Sequence, residues 1–253
     1  MKEYNNTLKI SRPIKTLKTR KHTSRKKGYL PTETGIPHQC QCSITCYKPA
    51  LNKYPFCKDH LKSCSNNPIL SNWEPEYDPM LWNKYIAIKE THNCYSYAMN
   101  VFDKKQIKKC KGKNECTSPF HQPGKAAGYP SFSDDKPKTC PNMIARIKGD
   151  NDTNYVTDFE TQCKPTYSKI ALIIDESDDY HFLRMDSNGY WSHKPGAMRV
   201  TNVDAYGHYI WNPKLANYDY ESLGKNNLKY DIFCSFFCVK RDGPLYMKAG
   251  GKI

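Results

Sequence analysis

The second half of this chain constrains its fold most, because it has the pattern of consecutive antiparallel strands. Lys169–Ile174 is a continuous apolar run, as expected of a buried strand. His181–Met185 and Tyr190–Lys194 follow as two shorter segments, and the Asn-Gly pair at 188–189 between them suits a tight hairpin turn. A last apolar strand is predicted at Tyr230–Val239. These segments predict an antiparallel meander.

Helical patterns precede the strands. Met80–Lys89 can form an amphipathic helix whose apolar side is formed by Leu81, Tyr85, Ile86 and Ile88. Cys94–Phe102 and Thr139–Lys148 read as two further helices. Helices followed by an antiparallel meander predict an α+β domain rather than a doubly wound parallel sheet, and we expect it to span residues 67–253.

Positive charge is concentrated at the start of the chain. The net charge is +14, and between residues 1 and 30 ten basic residues are opposed by one glutamate. Residues 1–36 lack hydrophobic periodicity, so we predict a flexible basic arm. The arm contacts nucleic-acid phosphates, serves as an import signal or has no specific partner. The residues predicted to bind nucleic acid are Lys15, Lys18, Arg20, Lys21, Arg25, Lys26 and Lys27.

The sequence has neither a secretory leader pattern nor an apolar run long enough to span a bilayer. We therefore expect a cytoplasmic protein made in a reducing compartment. Its twelve cysteines are then expected to be metal ligands, a nucleophile and buried thiols rather than a disulfide framework. Cys234 and Cys238 are assigned to the core, whereas Cys110 and Cys116 could form a second metal pair or a late disulfide.

Residues 37–66 are dense in cysteine and predict a small zinc knuckle. The predicted ligands are Cys42, Cys46, Cys57 and His60, two close pairs separated by a ten-residue loop. Cys40 could replace Cys42, and Cys64 could replace His60. A segment of this size cannot hold a core without a metal, so the zinc is expected to be structural.

Three later residues form the candidate chemical site. Cys94 opens a predicted helix, and His181 and His193 stand on the two strands of the predicted hairpin. A cysteine at a helix start with a histidine nearby can build a thiol nucleophile. His92 and His121 are competing bases, and Asp186 is a competing third residue.

These residues resemble the papain-like NlpC/P60 superfamily of cysteine peptidases and amidases. The stretches Asn-Cys-Tyr-x-Tyr-Ala at 93–98 and Trp-Ser-His-Lys-Pro-Gly at 191–196 are also similar to mostly uncharacterised proteins of giant DNA viruses and some bacteria. The resemblance covers about residues 92–242. It implies that Cys94 is the nucleophile, that His181 is the general base and acid, and that His193 orients His181.

Two functions are therefore expected. The first is a viral thiol hydrolase or acyltransferase acting on a peptide, amide or ester. The second is a non-catalytic virion component that binds nucleic acid through its arm and other virion proteins through its knuckle.

Overall fold

An antiparallel sheet with two of the helices packed on one face forms the body of the molecule. The computed structural model describes residues 32–33, 39–66, 68–110, 116, 119–132 and 137–250. The helices in the described part are α1 Leu61–Ser65, α2 Pro79–Asn83, α3 Ile86–Lys89, α4 Cys94–Met99, α5 Lys104–Cys110 and α6 Cys140–Asp150. The strands are β1 Thr32–Glu33, β2 Tyr155–Thr157, β3 Tyr167–Asp175, β4 Asp179–Met185, β5 Trp191–His193 and β6 Ile232–Lys240. This architecture confirms the predicted α+β class.

The sheet has the order β1-β6-β3-β4-β5, and β2 also pairs with β6. Strands β3, β4 and β5 follow one another in sequence and in space, as predicted for a meander. Strand β6 returns from the end of the chain to pair with the far side of β3. The two longest strands, β3 and β6, therefore form the centre of the sheet, and the short β5 lies at its edge.

Alternation along the strands divides the core into two layers. Tyr180 and Phe182 of β4 pack against α4 and α6 on one face. Leu183 and Met185 of the same strand pack on the other face against Trp191 and the loops that follow it. Each residue of β4 therefore faces either the helices or the loop layer.

The region predicted as one amphipathic helix, Met80–Lys89, is two short helices instead, α2 and α3. Of the predicted apolar residues only Ile88 is buried, whereas Leu81, Tyr85 and Ile86 are exposed. Trp82, which was not in the predicted set, is also buried. Asp78 caps α2, where its side chain accepts a hydrogen bond from the backbone N–H of Leu81. The side-chain spacing alone did not reveal the break between the helices.

The cysteine-rich segment packs directly on the sheet domain. Phe56 meets the Trp211 ring edge-on, with 5.1 Å between ring centroids. Gln41 Oε1 accepts hydrogen bonds from the backbone N–H groups of Trp211 and Asn212, at 2.7 and 3.1 Å. Because both contacts are buried, the segment has a fixed position on the loop layer. No helix in the described residues is both long and apolar enough to cross a membrane.

Candidate functional site

Helix α4 places Cys94 at its first position. The Asn93 side chain caps the helix by accepting a hydrogen bond from the backbone N–H of Ser96 at 3.1 Å. The same side chain donates to the carbonyl of His121 at 2.9 Å. Asn100 ends the helix in the left-handed conformation, with φ of 56°. These contacts fix both ends of a short helix that is buried throughout.

The thiol of Cys94 lies against the backbone of β4. Its Sγ is 4.0 Å from the carbonyl oxygen of Tyr180, and the backbone N–H of Phe182 also interacts with it. Burial, with a smaller contribution from the charge of Asp179, raises the pKa of the Cys94 thiol to about 12. The resting thiol is therefore neutral at pH 7.

His181 and His193 are brought together as the sequence predicted. His193 pairs with Leu183 in the β4–β5 register, which places its ring on the same face of the sheet as His181. The Nε2 atom of His181 and the Nδ1 atom of His193 are 2.8 Å apart. His193 Nε2 lies 3.0 Å from the carbonyl oxygen of Val203.

This chain of contacts fixes where the protons are. The Val203 carbonyl can only accept, so His193 Nε2 carries a hydrogen. Burial lowers the pKa of His193 to about 4 and the pKa of His181 well below its usual value, so both rings are neutral. His193 Nδ1 is then an acceptor, His181 Nε2 is the donor, and His181 Nδ1 is left without a proton.

The thiol and the His181 ring approach β4 from different sides. Tyr180 and Phe182 pack in the same cluster as Cys94, whereas the His181 ring stacks on Tyr230 with centroids 5.3 Å apart. Within the described residues, no hydrogen bond joins the Cys94 thiol to the His181 ring. The sequence placed all three residues at one site, but in the structure only the two histidines are in contact.

The competing bases are engaged elsewhere. In His92, Nε2 accepts from the backbone N–H of Asp103 at 2.9 Å, and Nδ1 lies 2.8 Å from Thr91 Oγ1. In His121, Nδ1 lies 3.0 Å from Ser96 Oγ, and Nε2 lies 3.2 Å from Asp103 Oδ2. Both rings thus use both nitrogens, which identifies them as structural.

Asp186, the competing third residue, is also structural. Its carboxylate pairs with the Arg184 guanidinium at 3.0 Å, and both side chains are buried. Its backbone carbonyl accepts from Gly189 and so closes the hairpin turn. Of the two candidates for the third residue, only His193 forms a hydrogen bond with the His181 ring among the described contacts.

A cavity of about 530 Å³ opens beside the histidine pair. Its lining includes His181, Tyr230 and Thr201, and it continues along the loops after β5 and before β6. Cys94 is not among the lining residues. Sequence reasoning missed this cavity, because most of its lining comes from loop residues that carry no motif.

The cysteine-rich segment forms a metal-ligand cluster of Cys40, Cys46, Cys57 and His60, whose donor atoms all lie within 4.8 Å of one another. His60 Nδ1 is 3.5 Å from the sulfurs of both Cys40 and Cys57, and the sulfurs of Cys46 and Cys57 are 3.9 Å apart. Three thiols and one imidazole at these distances can hold a metal ion.

The predicted ligand Cys42 has to be corrected to Cys40, the alternative that the sequence left open. The backbone N–H of Cys57 donates to Cys40 Sγ at 3.2 Å, which directs Cys40 into the cluster. A turn at residues 41–42 carries Cys42 away, and Cys42 forms a disulfide with Cys64. Cys64 consequently does not replace His60.

The expected absence of a disulfide framework is also corrected. Cys140 pairs with Cys234 and Cys163 with Cys238, with Cα atoms 5.3 and 5.7 Å apart. Cys234 and Cys238 are buried as predicted, but they are cross-linked rather than free. Cys110 pairs with Cys116, which selects the disulfide alternative over a metal pair. The predicted nucleic-acid residues Lys15, Lys18, Arg20, Lys21, Arg25, Lys26 and Lys27 lie outside the described residues.

Comparison with known proteins identifies a relative. The chain is 30% identical over 141 residues to "Insoluble matrix shell protein 1" of Ruditapes philippinarum. The match covers 56% of this chain and 80% of that protein. No family model and no solved structure matches the chain.

Proposed function

The chain belongs to the family of insoluble matrix shell protein 1, and from its own residues we propose that it carries a papain-like thiol site that transfers acyl groups from an amide or ester. The relative's name refers to a matrix and specifies no reaction, so the chemistry has to be inferred from this chain's residues. The observation that carries the proposal is the His181–His193 pair, which leaves an unprotonated Nδ1 on His181. A cysteine at a helix start and two histidines on adjacent strands also support a domain of the NlpC/P60 type.

In the proposed reaction, the Cys94 thiol proton passes to His181 Nδ1 as sulfur bonds to the substrate carbonyl carbon. The imidazolium then gives that proton to the leaving amine or alcohol when the C–N or C–O bond breaks. Water attacks the thioester, with His181 again accepting a proton, and the acid is released as the thiol is restored. His193 stabilises the charged ring by accepting the hydrogen bond from His181 Nε2.

The thiol has to turn from the Tyr180 carbonyl toward the His181 ring for this reaction. Because the two groups approach β4 from different sides in the structure, the proposal requires the Cys94 side chain and its surroundings to rearrange before the proton is transferred. Burial raises the pKa of the Cys94 thiol to about 12, so the thiol is protonated at neutral pH. His181 therefore removes the proton during the attack, and no thiolate forms beforehand.

The test is the rate of Cys94 alkylation by iodoacetamide, followed by peptide mass mapping to separate it from other thiols. We expect Cys94 of the folded protein to react at neutral pH even though burial raises the pKa of its thiol. In the His181→Ala variant we expect the same cysteine to react at least about ten times more slowly. Equal rates in the two proteins would remove His181 as the base. Circular dichroism of each variant checks that the fold is retained.

We also propose that the Cys40, Cys46, Cys57 and His60 cluster holds a structural zinc ion. Zinc bonds of about 2.3 Å to sulfur and about 2.0 Å to nitrogen give tetrahedral edges of roughly 3.8 Å for S···S and roughly 3.5 Å for S···N. The observed separations of 3.9 and 3.5 Å fit that donor set. Zinc would hold the segment in the conformation that contacts Trp211, and its presence is tested by elemental analysis of the purified protein.

A second function, structural rather than catalytic, is favoured by the relative's name and by the disulfides. In this alternative the cross-linked domain is a component of an insoluble assembly such as a virus particle, and the basic arm binds nucleic acid. The two functions differ in their dependence on the thiol: a Cys94→Ser variant would assemble normally in the structural account and lose acyl transfer in the catalytic one.

A further inference from the structure

The cavity beside the histidine pair has a distinctive combination of charge and apolar surface. Its walls are largely apolar, formed by residues such as Leu228, Met198 and Tyr220. Three cationic side chains, Lys89, Arg199 and Lys225, also line it, and no acidic residue from the described part of the chain does. Ligand pockets of this type bind mostly through apolar contact and use a few charged groups for orientation.

The three cations are not equally available. The Lys225 ammonium donates to the carbonyl oxygen of Ala205 at 2.7 Å, and Lys89 pairs with Glu90 at 3.4 Å. Arg199 is exposed and has no hydrogen-bonded or ion-paired side chain among the described residues. Its guanidinium is therefore the group best placed to bind an incoming anion, with two hydrogen bonds to a carboxylate.

The carboxylate closest in sequence to His181 does not neutralise this charge. Asp179 accepts a hydrogen bond from the Tyr230 hydroxyl at 2.8 Å and is not part of the cavity lining. His181 and Tyr230 both line the cavity, and their ring centroids are 5.3 Å apart, so Tyr230 offers an aromatic surface next to the proposed base.

We infer that this cavity binds the part of the substrate that carries a carboxylate beside an apolar group, with Arg199 holding the carboxylate. An acidic peptide segment with a neighbouring aromatic or aliphatic side chain has this chemistry. The inference rests on the proposed function, because it assigns the substrate class of the same site. It makes Arg199 a specificity-determining residue rather than a catalytic one.

The test compares N-acetylphenylalanine with its primary amide, which has the same shape but lacks the negative charge. Each is titrated into the full-length protein, and binding is followed by protein-observed NMR. We expect the acid to bind about tenfold more tightly than the amide, the ratio that one extra charge-assisted hydrogen bond provides. Arg199→Gln should abolish most of that preference.

Lys148→Gln is the matched control, because it removes one positive charge from an exposed position on α6 outside the cavity. The inference is overturned if the amide binds as tightly as the acid, if Arg199→Gln keeps the preference, or if neither compound shifts the protein signals at millimolar concentration. Repeating the titration with Cys94→Ala separates the two proposals. If Cys94→Ala keeps the preference for the acid and Cys94 of the wild-type protein is unreactive, the carboxylate site stands and the enzyme proposal fails. If the preference is absent but wild-type Cys94 reacts as proposed, only the carboxylate site fails.

Discussion

The Nε2 atom of His181 and the Nδ1 atom of His193 lie 2.8 Å apart across neighbouring strands, and His193 is in turn tied to the Val203 carbonyl. This directed chain of hydrogen bonds determines the tautomer of both rings. It distinguishes His181 from His92 and His121, whose ring nitrogens are all engaged.

Replacing His193 tests whether it orients His181. His193→Ala removes the acceptor for His181 Nε2, so we expect the alkylation rate of Cys94 to fall about tenfold. His193→Asn offers an amide oxygen that can accept the same hydrogen bond, and we expect it to recover part of the rate. Equal rates in the Ala and Asn variants would mean that His193 fills space only.

The pH dependence of stability follows from burial of His193. Its pKa is about 4 in the folded protein against 6.5 for an ordinary histidine, so the unfolded chain binds the proton more readily. The associated stability is present above pH 6.5 and is lost as the pH falls toward 4, with a maximum loss of roughly 3 kcal/mol. Urea unfolding between pH 4 and 8 measures this loss, and His193→Gln should make it smaller by about that amount, while His181 and His92, whose pKa values burial also lowers, still contribute.

Two neighbouring cysteines offer a matched test of the metal cluster. Cys40→Ser removes a ligand, so we expect the bound zinc to be lost and the free energy of unfolding to fall by several kcal/mol. Cys42→Ser breaks the pair with Cys64 but leaves the four proposed ligands, and zinc should be retained at one ion per chain. Zinc retained by Cys40→Ser and lost from Cys42→Ser would contradict the proposed ligand set.

Gln41 is expected to hold the cysteine-rich segment on the sheet domain. Gln41→Ala leaves the buried N–H groups of Trp211 and Asn212 without their acceptor, which should cost about 2 kcal/mol of unfolding free energy. Tyr47→Ala is the control in the same segment, because Tyr47 is 76% exposed, and its effect should stay within about 0.5 kcal/mol. Similar losses in both variants would show that the Gln41 hydrogen bonds do not matter.

The basic arm is tested by deleting residues 1–30, which removes its ten basic residues and keeps β1, and by measuring DNA binding against salt concentration. If its lysines and arginines neutralise phosphates, deletion should weaken binding and reduce the slope of log K against log salt by about 0.9 for each phosphate that is no longer neutralised. An unchanged slope would remove the nucleic-acid part of the structural alternative.

The sequence predicted what depends on local pattern. The apolar runs and the Asn-Gly turn indicated β3, β4 and β5 and placed His181 beside His193. It did not predict which face of β4 each side chain would occupy relative to α4, because that depends on packing between distant segments. The position of the Cys94 thiol against the β4 backbone was for this reason not predicted by any motif.

The cysteines show the same limit. Spacing located the metal cluster but could not choose between Cys40 and Cys42, since the choice depends on the turn at 41–42 and on the Cys57 N–H. The partners of Cys234 and Cys238 lie 94 and 75 residues away in sequence, so no local pattern indicated them.

Direct acylation of Cys94 tests the central claim most sharply. The protein is incubated with p-nitrophenyl acetate at neutral pH and analysed by intact mass and peptide mapping. The account predicts one acetyl group on Cys94 that forms and then hydrolyses in the wild-type protein, forms about tenfold or more slowly in His181→Ala, and is absent from Cys94→Ala. No acetyl group on Cys94, or the same rate of acetylation in wild type and His181→Ala, would contradict it.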